Sequence, residues 1–419
     1  MENEKAVHLR PRIFVNIHYM ELGGAERALL GLLNAFDTDR VDVDLFINQH
    51  TGEFMPLIPA KINLLPEKRG YNAIERPMKQ ILMEGQLGLF YSRIKAKRRH
   101  AKYHKTLTGD AKKMDNSIFQ YVADEVQSFL PSLKYLGEYD LAISYLTPHN
   151  IVLNKVLAKK KIAWIHTDYS TIHVNAKMEL PVWSAYDYIA SISSDCTRSF
   201  LKTFPSLEDK IIEIENILSP TFVRTQSELL DVSKEMPMNG LKFLSVGRYT
   251  TAKNYDNVPD IARRMVETGV SDFQWYIIGY GGDEDLIRRK IAESGMENHV
   301  ILLGKKDNPY PYIKACDIYL QPSRFEGKSV TVREAQILCK PVIITDYPTA
   351  KSQIHDGIDG VIVPLDNEGC AKGIVKTMRN QELLKAISTY LFTHDYGSEH
   401  EADKIYALLN DRDKYSLTK

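Results

Sequence analysis

The chain has 419 residues, more than one compact core usually holds, so two domains are expected. Its 44% hydrophobic and 26% charged residues exclude a disordered chain, and 54 Lys+Arg against 54 Asp+Glu leave no net charge pointing to a partner. Cys196, Cys316, Cys339 and Cys370 are scattered with no C-x-x-C pair, which argues against a disulfide framework or a cysteine zinc site and suits a reducing compartment.

The opening MENEKAVHLRPR runs straight into the apolar segment Ile13–Ile17, so no secretory signal is expected. No apolar run nears the ~20 residues that span a bilayer. The expectation is a cytoplasmic protein, with a peripheral place at the inner face of the plasma membrane left open.

Short apolar runs alternate with longer amphipathic stretches, the pattern of βα units around a parallel sheet. Expected strands in the first half are Ile13–His18, Val41–Ile47, Leu141–Tyr145, Lys161–His166, Tyr188–Ser191 and Ile211–Ile214. The pattern restarts with Leu241–Val246, Phe273–Ile278, Val300–Leu303, Ile318–Gln321, Pro341–Thr345 and Gly360–Val363. Helices are expected between them, among them Ala25–Phe36, Tyr255–Glu267, Glu284–Ser294 and Val330–Leu338, with a last one over Gly397–Asn410. This reads as an α/β chain of two Rossmann-like domains, residues 1–218 and 219–395, followed by a C-terminal helical segment, 396–419. The crossing is expected near Ile217–Pro220 or in the polar stretch Thr225–Asn239.

One stretch breaks the rhythm. A helical insertion is expected at about 67–135, and between Glu67 and Asp115 basic residues dominate, Arg93, Lys95, Lys97, Arg98 and Arg99 at their centre. Apolar Ile74, Ile81, Leu87, Phe90 and Tyr91 are interleaved. Such a segment, residues 68–113, suits an anionic membrane surface, where each Lys or Arg near the lipid adds about 1 kcal/mol. It equally suits a solvated insertion whose long side chains cover the core. No nucleic-acid partner is expected, because no recognised motif accompanies the charge.

Two segments carry chemistry. Val246-Gly247-Arg248 ends a strand, and the loop through Lys253-Asn254 then leads to a helix. Strand C-termini of open α/β sheets face the ligand crevice. There Arg248 and Lys253 can neutralise a diphosphate, one as a planar fork and the other as a point charge. Solvated loop cations are the bland alternative. Phe325-Glu326-Gly327-Lys328-Ser329-Val330-Thr331-Val332-Arg333-Glu334 follows another strand and enters a helix. The amides of Ser329, Val330 and Thr331 are expected as unpaired helix-start donors for phosphate. Glu334 is placed to accept from a ribose diol and Glu326 from sugar hydroxyls, although either glutamate alone reads as a cap or a surface charge.

These residues resemble the retaining, GT-B-fold glycosyltransferases of family 4. Glu326 and Glu334 match the E-x₇-E motif, and Gly247-Arg248 with Lys253-Asn254 match G-R-x₄-K-N. Ile277-Ile278-Gly279-Tyr280-Gly281-Gly282 is similar to I-x-G-x-G-P, with Gly282 in place of proline. Asp317 to Ser323 resembles the D-x-x-x-x-P-S strand. This set runs from about Leu241 to Pro364. In the first half, Leu22-Gly23-Gly24-Ala25-Glu26-Arg27 resembles the G-G-A-E-R loop, where Gly23 and Gly24 let backbone approach the donor diphosphate. Ala163 to Asp168 resembles the strand ending in histidine, which implies His166 near the donor sugar. Asp168 is placed to orient it or to meet the acceptor hydroxyl. Asn216 to Pro220 lacks the glycine and aspartate of the family's crossing.

The resemblance implies two parallel sheets facing across a cleft, with the C-terminal helix returning to the first domain. It implies transfer of a sugar, with retention, from a nucleoside diphosphate sugar, UDP-sugar above all, to an acceptor hydroxyl. No cofactor and no metal are expected. Asp42-Val43-Asp44 formally matches D-x-D, but its alternation in a strand reads as a solvent-facing pair, and no other metal-type cluster is evident. Lys305, in the loop Gly304–Asn308, is expected beside the nucleobase, with a plain surface turn equally open. The basic insertion suggests a lipid-linked saccharide acceptor in cell-surface polysaccharide biosynthesis. A GT-B sugar-nucleotide epimerase and a non-catalytic partner subunit are the alternatives. A dinucleotide dehydrogenase is the weakest reading, since no G-x-G-x-x-G follows either first strand.

Overall fold

A computed structural model describes residues 10–21, 23–72, 74–237 and 240–409. The leader region before residue 10, Leu22 of the glycine loop, Asn239 of the polar stretch and Asn410 at the end of the expected last helix lie outside the described residues. Two compact units form, one of residues up to Ile217 joined by those from Glu399 onward, the other Leu218–Ser398.

The first unit holds β1 (Arg12–Ile17), β2 (Asp42–Ile47), β3 (Asn63–Leu64), β4 (Glu138–Ser144), β5 (Leu157–Ile165), β6 (Tyr188–Ser191) and β7 (Ile211–Glu213), in the order β3-β2-β1-β4-β5-β6-β7. The second holds β8 (Leu241–Val246), β9 (Phe273–Ile278), β10 (Val300–Gly304), β11 (Ile318–Gln321), β12 (Val342–Thr345) and β13 (Val361–Val363), in the order β10-β9-β8-β11-β12-β13. Every pairing between these strands is parallel. Parallel strands are covered on both faces, which is why runs such as IFVNI read as almost continuously apolar. In the second unit one face carries Leu244, Tyr276, Tyr319 and Ile344, and the other Phe243, Trp275, Ile318 and Ile343. Strand order reverses between β1 and β4 and again between β8 and β11. Such switch points open a crevice at the strands' C-terminal ends.

The expected strands all form. β5 starts earlier than expected, at Leu157, because LAKKK is a partly exposed strand whose lysines hide the apolar signal. β3, with only two residues, was not expected. In the basic insertion the described residues form helices, Met78–Met83, Leu87–His104, Gly109–Lys113 and Ile118–Val126. Part of its charge is already matched: Arg76 pairs with Glu84 at 2.5 Å, Lys95 with Glu125 at 2.9 Å and Arg99 with Asp124 at 2.7 Å. Asp124 and Glu125 lie past the stretch over which the acidic residues were weighed, so the sequence overstated the free charge.

The helix Ala402–Leu409 packs on the first unit. Asp37 N donates to Tyr406 Oη at 2.7 Å, and the Arg40 guanidinium lies 3.8 Å from that ring's centre. The expected solvent-facing pair needs correcting at Asp44, which Arg12 (3.1 Å), Tyr139 (2.6 Å) and Asn63 (2.6 Å) cover. All four cysteines are free, and no described helix is long and apolar enough to cross a membrane.

Candidate functional site

The second unit's switch point carries the site. β8 ends at Val246 and its loop must turn across the end of β11. Gly247 gives room there: a Cβ would lie 2.9 Å from Tyr255 Oη and 3.0 Å from Lys253 Cε, so the missing side chain leaves the passage that Lys253 occupies. The neighbouring strand end is equally tight, since a Cβ on Gly279 would meet the Gly247 carbonyl oxygen at 1.9 Å. Asn254 then adopts a left-handed conformation, φ 62°, a region where asparagine is enriched among non-glycine residues. Its buried Nδ2 donates to the Pro322 carbonyl at 2.8 Å and ties the β8 loop to the β11 loop. Arg324 adds a second tie, with its amide on Ala252 O (2.8 Å) and a two-pronged bond to Asp256 (2.8 and 2.9 Å).

Between these ties Lys253 meets Glu326. Lys253 Nζ lies 2.6 Å from Glu326 Oε1, and the two side chains are 21% and 10% exposed. The same oxygen accepts from Ser323 Oγ at 2.6 Å and Gln321 Nε2 at 2.8 Å. Thr349 Oγ1 holds the Glu326 carbonyl at 2.9 Å. Arg248 stands exposed beside this group in the loop, with no ion-pair partner among the described residues. The result is a mostly buried carboxylate with three donors on one oxygen, one of them Lys253 from the β8 loop that also carries the exposed Arg248.

Two expected roles need correction. The Ser329 amide is not an open phosphate donor: it gives its hydrogen to Gln353 Oε1 at 3.0 Å, while Gln353 Nε2 donates back to the Ser329 carbonyl at 2.6 Å. Val330 and Thr331 remain as the leading residues of the helix Val330–Ile337, where amides lack intrahelical acceptors. Glu334 is 0% exposed and accepts from Tyr310 Oη at 2.9 Å, so it is not presented to a ribose in this structure. Lys305 is exposed with Nζ 5.3 Å from the Tyr280 ring centre.

In the first unit Gly23 caps the helix Gly24–Ala35, and a Cβ there would lie 1.9 Å from Glu26 Oε2, so the buried glutamate takes the space a side chain would fill. Gly24 is open. His166 follows β5 with its ring 4.4 Å from that of Tyr145. Burial pushes its pKa down to about 3, so it is neutral, and its Nε2 is buried with no hydrogen-bond partner among the described residues. Asp168 does not bond to it. Burial would raise the Asp168 pKa, but bonds from Ser170, among them one from its amide at 2.9 Å, lower it.

Sequence reasoning missed Gln321, Ser323, Tyr310 and Gln353, whose roles depend on partners up to 24 residues away. It also named no metal-type cluster, whereas the fold gathers His100, His104 and Asp115 with their ligand atoms within 4.8 Å. The available signal was H-x₃-H on a helix.

This geometry sets the chain beside known proteins. The chain has the GT-B fold, and residues 227–393, within its second unit, match the family model described as glycosyl transferases group 1. Among solved structures it is similar to Anabaena HepE in complex with UDP-glucose: TM-score 0.65, 15% identity, covering 96% of this chain and 100% of that one. It is 32% identical over 143 residues to the Campylobacter jejuni N-acetylgalactosamine-N,N'-diacetylbacillosaminyl-diphospho-undecaprenol 4-alpha-N-acetylgalactosaminyltransferase, a match covering 34% of this chain and 38% of that protein. It is 26% identical over 159 residues to the Bacillus subtilis poly(glycerol-phosphate) alpha-glucosyltransferase, covering 38% of this chain and 24% of that protein. These matches thus span well under half of either relative.

Proposed function

We propose that this protein is a glycosyltransferase that moves a sugar from a nucleoside diphosphate sugar, UDP-sugar by preference, to an acceptor hydroxyl with retention and without a metal. The observation that carries the reading is the Lys253–Glu326 pair at the β8/β11 switch point, with Arg248 exposed in the same loop. The chemistry is a break of the anomeric carbon–oxygen bond, whose electron pair leaves with the diphosphate, and a new bond from the acceptor oxygen. The acceptor's proton goes to the departing phosphate on the same face. Arg248, Lys253 and the Val330 and Thr331 amides stabilise the charge that develops, which is electrostatic preorganisation. Lys253 turns from Glu326 to the diphosphate as donor enters, and sugar hydroxyls take its place on the Glu326 carboxylate.

Gly23, Gly24 and neutral His166 serve the donor from the first unit. Lys305 serves the base and Asp168 the acceptor, while Glu334 holds the Tyr310 hydroxyl. The HepE complex with UDP-glucose supports the choice of nucleotide. A lipid-linked saccharide acceptor, met at the cytoplasmic membrane face, is supported by the diphospho-undecaprenol in the Campylobacter relative's name. It is supported also by the insertion, where Arg98, Lys102 and Lys105 are exposed, as are Leu82, Met83, Leu87 and Tyr91. The deciding experiment is a screen of the purified chain against nucleotide-sugars for hydrolysis and thermal stabilisation. Stabilisation by UDP-sugars that Arg248→Glu abolishes is expected. A chain stabilised by no nucleotide-sugar overturns the reading.

A further inference from the structure

The helix Leu87–His104 places His100 and His104 one turn apart, so both imidazoles lie on one face. Asp115 reaches the same point from beyond the short helix Gly109–Lys113. His100 Nε2 lies 2.8 Å and His104 Nδ1 2.6 Å from one oxygen, Asp115 Oδ2. The other oxygen, Oδ1, accepts from Ser117 Oγ at 2.6 Å and Ser117 N at 3.0 Å. The Asp115 side chain is 1% exposed, whereas that of His104 is 36% exposed, which leaves a way in from solvent. None of the three residues serves the proposed donor chemistry.

We infer that His100, His104 and Asp115 form a binding site for one divalent transition-metal ion of the zinc class. Two histidines four apart on a helix with a third carboxylate ligand are a recurring three-ligand set, and water completes the coordination. Ser117 supplies the outer bonds that orient the carboxylate, as such sites require. Metal–ligand bonds of about 2.1 Å at tetrahedral angles set ligand atoms roughly 3.4 Å apart. The imidazoles must therefore withdraw from Oδ2 by roughly 0.6 and 0.8 Å, and the exposed His104 edge has room for that. Each ring gives up the proton it directs at Oδ2, either to its own second nitrogen or to buffer.

The surroundings select the ion. Lys102, Lys105, Lys112 and Lys113 lie close in sequence, so a cation held by charge alone is repelled. Imidazole favours zinc, cobalt or nickel over magnesium or calcium. Bound metal clamps the end of the long insertion helix to the segment that pairs, through Asp115, with His173.

The test uses tag-free, EDTA-treated full chain, titrated with Co(II) and followed by visible absorption and calorimetry. One Co(II) per chain with tetrahedral-strength bands, displaced by Zn(II) but not by Mg(II), is expected. His104→Ala, at a partly exposed position that does not threaten folding, should lose that binding, and Ser117→Ala should weaken it about tenfold. Absence of saturable binding, or an identical isotherm in His104→Ala, overturns the inference.

Discussion

Replacing Glu326 tests the centre of the site, and its outcome is calculable. Glu326 Oε1 takes donors from Lys253, Ser323 and Gln321. Glu326→Ala strands the Ser323 hydroxyl and one hydrogen of the Gln321 amide, both on side chains that are 0% exposed. A buried donor left unsatisfied costs about 1–3 kcal/mol. Lys253 keeps some access to water and adds little. The second unit should therefore lose about 2–6 kcal/mol, with turnover falling strongly at the same time. Glu326→Gln keeps an acceptor oxygen for Ser323 and Gln321 while removing the charge, so its stability loss should stay near 1 kcal/mol. Its turnover should fall nearly as far as that of alanine, because the charged acceptor proposed for the donor sugar's hydroxyls is gone.

Urea unfolding measures the first effect, read from Trp275, the second unit's own buried tryptophan, in a chain carrying Trp164→Phe and Trp183→Phe. Initial rates with a UDP-sugar and acceptor measure the second. A Lys253→Met cycle should show coupling with Glu326 of about 1–3 kcal/mol. If Glu326→Ala unfolds at the same urea concentration as its parent, the three-donor network does not exist as drawn. Wild-type turnover in either variant sinks the catalytic reading.

Arg248→Glu should abolish UDP binding in calorimetry while leaving the urea midpoint unchanged; unaltered affinity refutes the phosphate clamp. Gly247→Ala forces the Lys253 chain aside at 3.0 Å and should cost about 1–3 kcal/mol while weakening donor binding, whereas a neutral result would mean the loop opens freely. Glu179 is buried beside Tyr169 and Trp183, and burial pushes its pKa from 4.5 up to about 7. The folded first unit therefore holds this proton more tightly than the unfolded chain. The contribution is complete below pH 4.5 and is lost as pH rises through about 7, on the order of 3 kcal/mol. Glu179→Gln should flatten the stability difference across that window, and a parallel pH profile would refute it. Sedimentation with anionic vesicles at low salt should capture the chain, and Arg98→Glu with Lys102→Glu should release it. Absence of wild-type binding counts against the membrane reading.

What was legible in the sequence was whatever the backbone dictates locally. Gly247, Asn254 and Gly279 announce tight strand ends, and the placement of Arg248, Lys253 and Glu326 after strands follows from the βα rhythm. Partner choice was not legible, because it depends on contacts far apart in the chain. Ser329 looked like a free helix-start donor, since nothing nearby reveals that Gln353, 24 residues on, takes its amide. Glu334 looked open until the fold set Tyr310 against it. The same limit hid the His100–His104–Asp115 group: the helical spacing is visible, but the return of Asp115 is not.

Lys253 and Glu326 were assigned separate tasks from sequence, one for phosphate and one for sugar, whereas the fold bonds each to the other. Under the proposed function the pair would act as a switch of partners, in which donor binding breaks a bond that also stabilises the loop. That predicts tighter donor binding when the bond is weakened without loss of the lysine. Gln321→Leu does the reverse: with one donor fewer, the carboxylate should grip Lys253 harder, and affinity for UDP should fall although Gln321 itself is fully buried. Calorimetry on this variant decides the matter, and an affinity equal to or above wild type would show that the ion pair does not compete with donor.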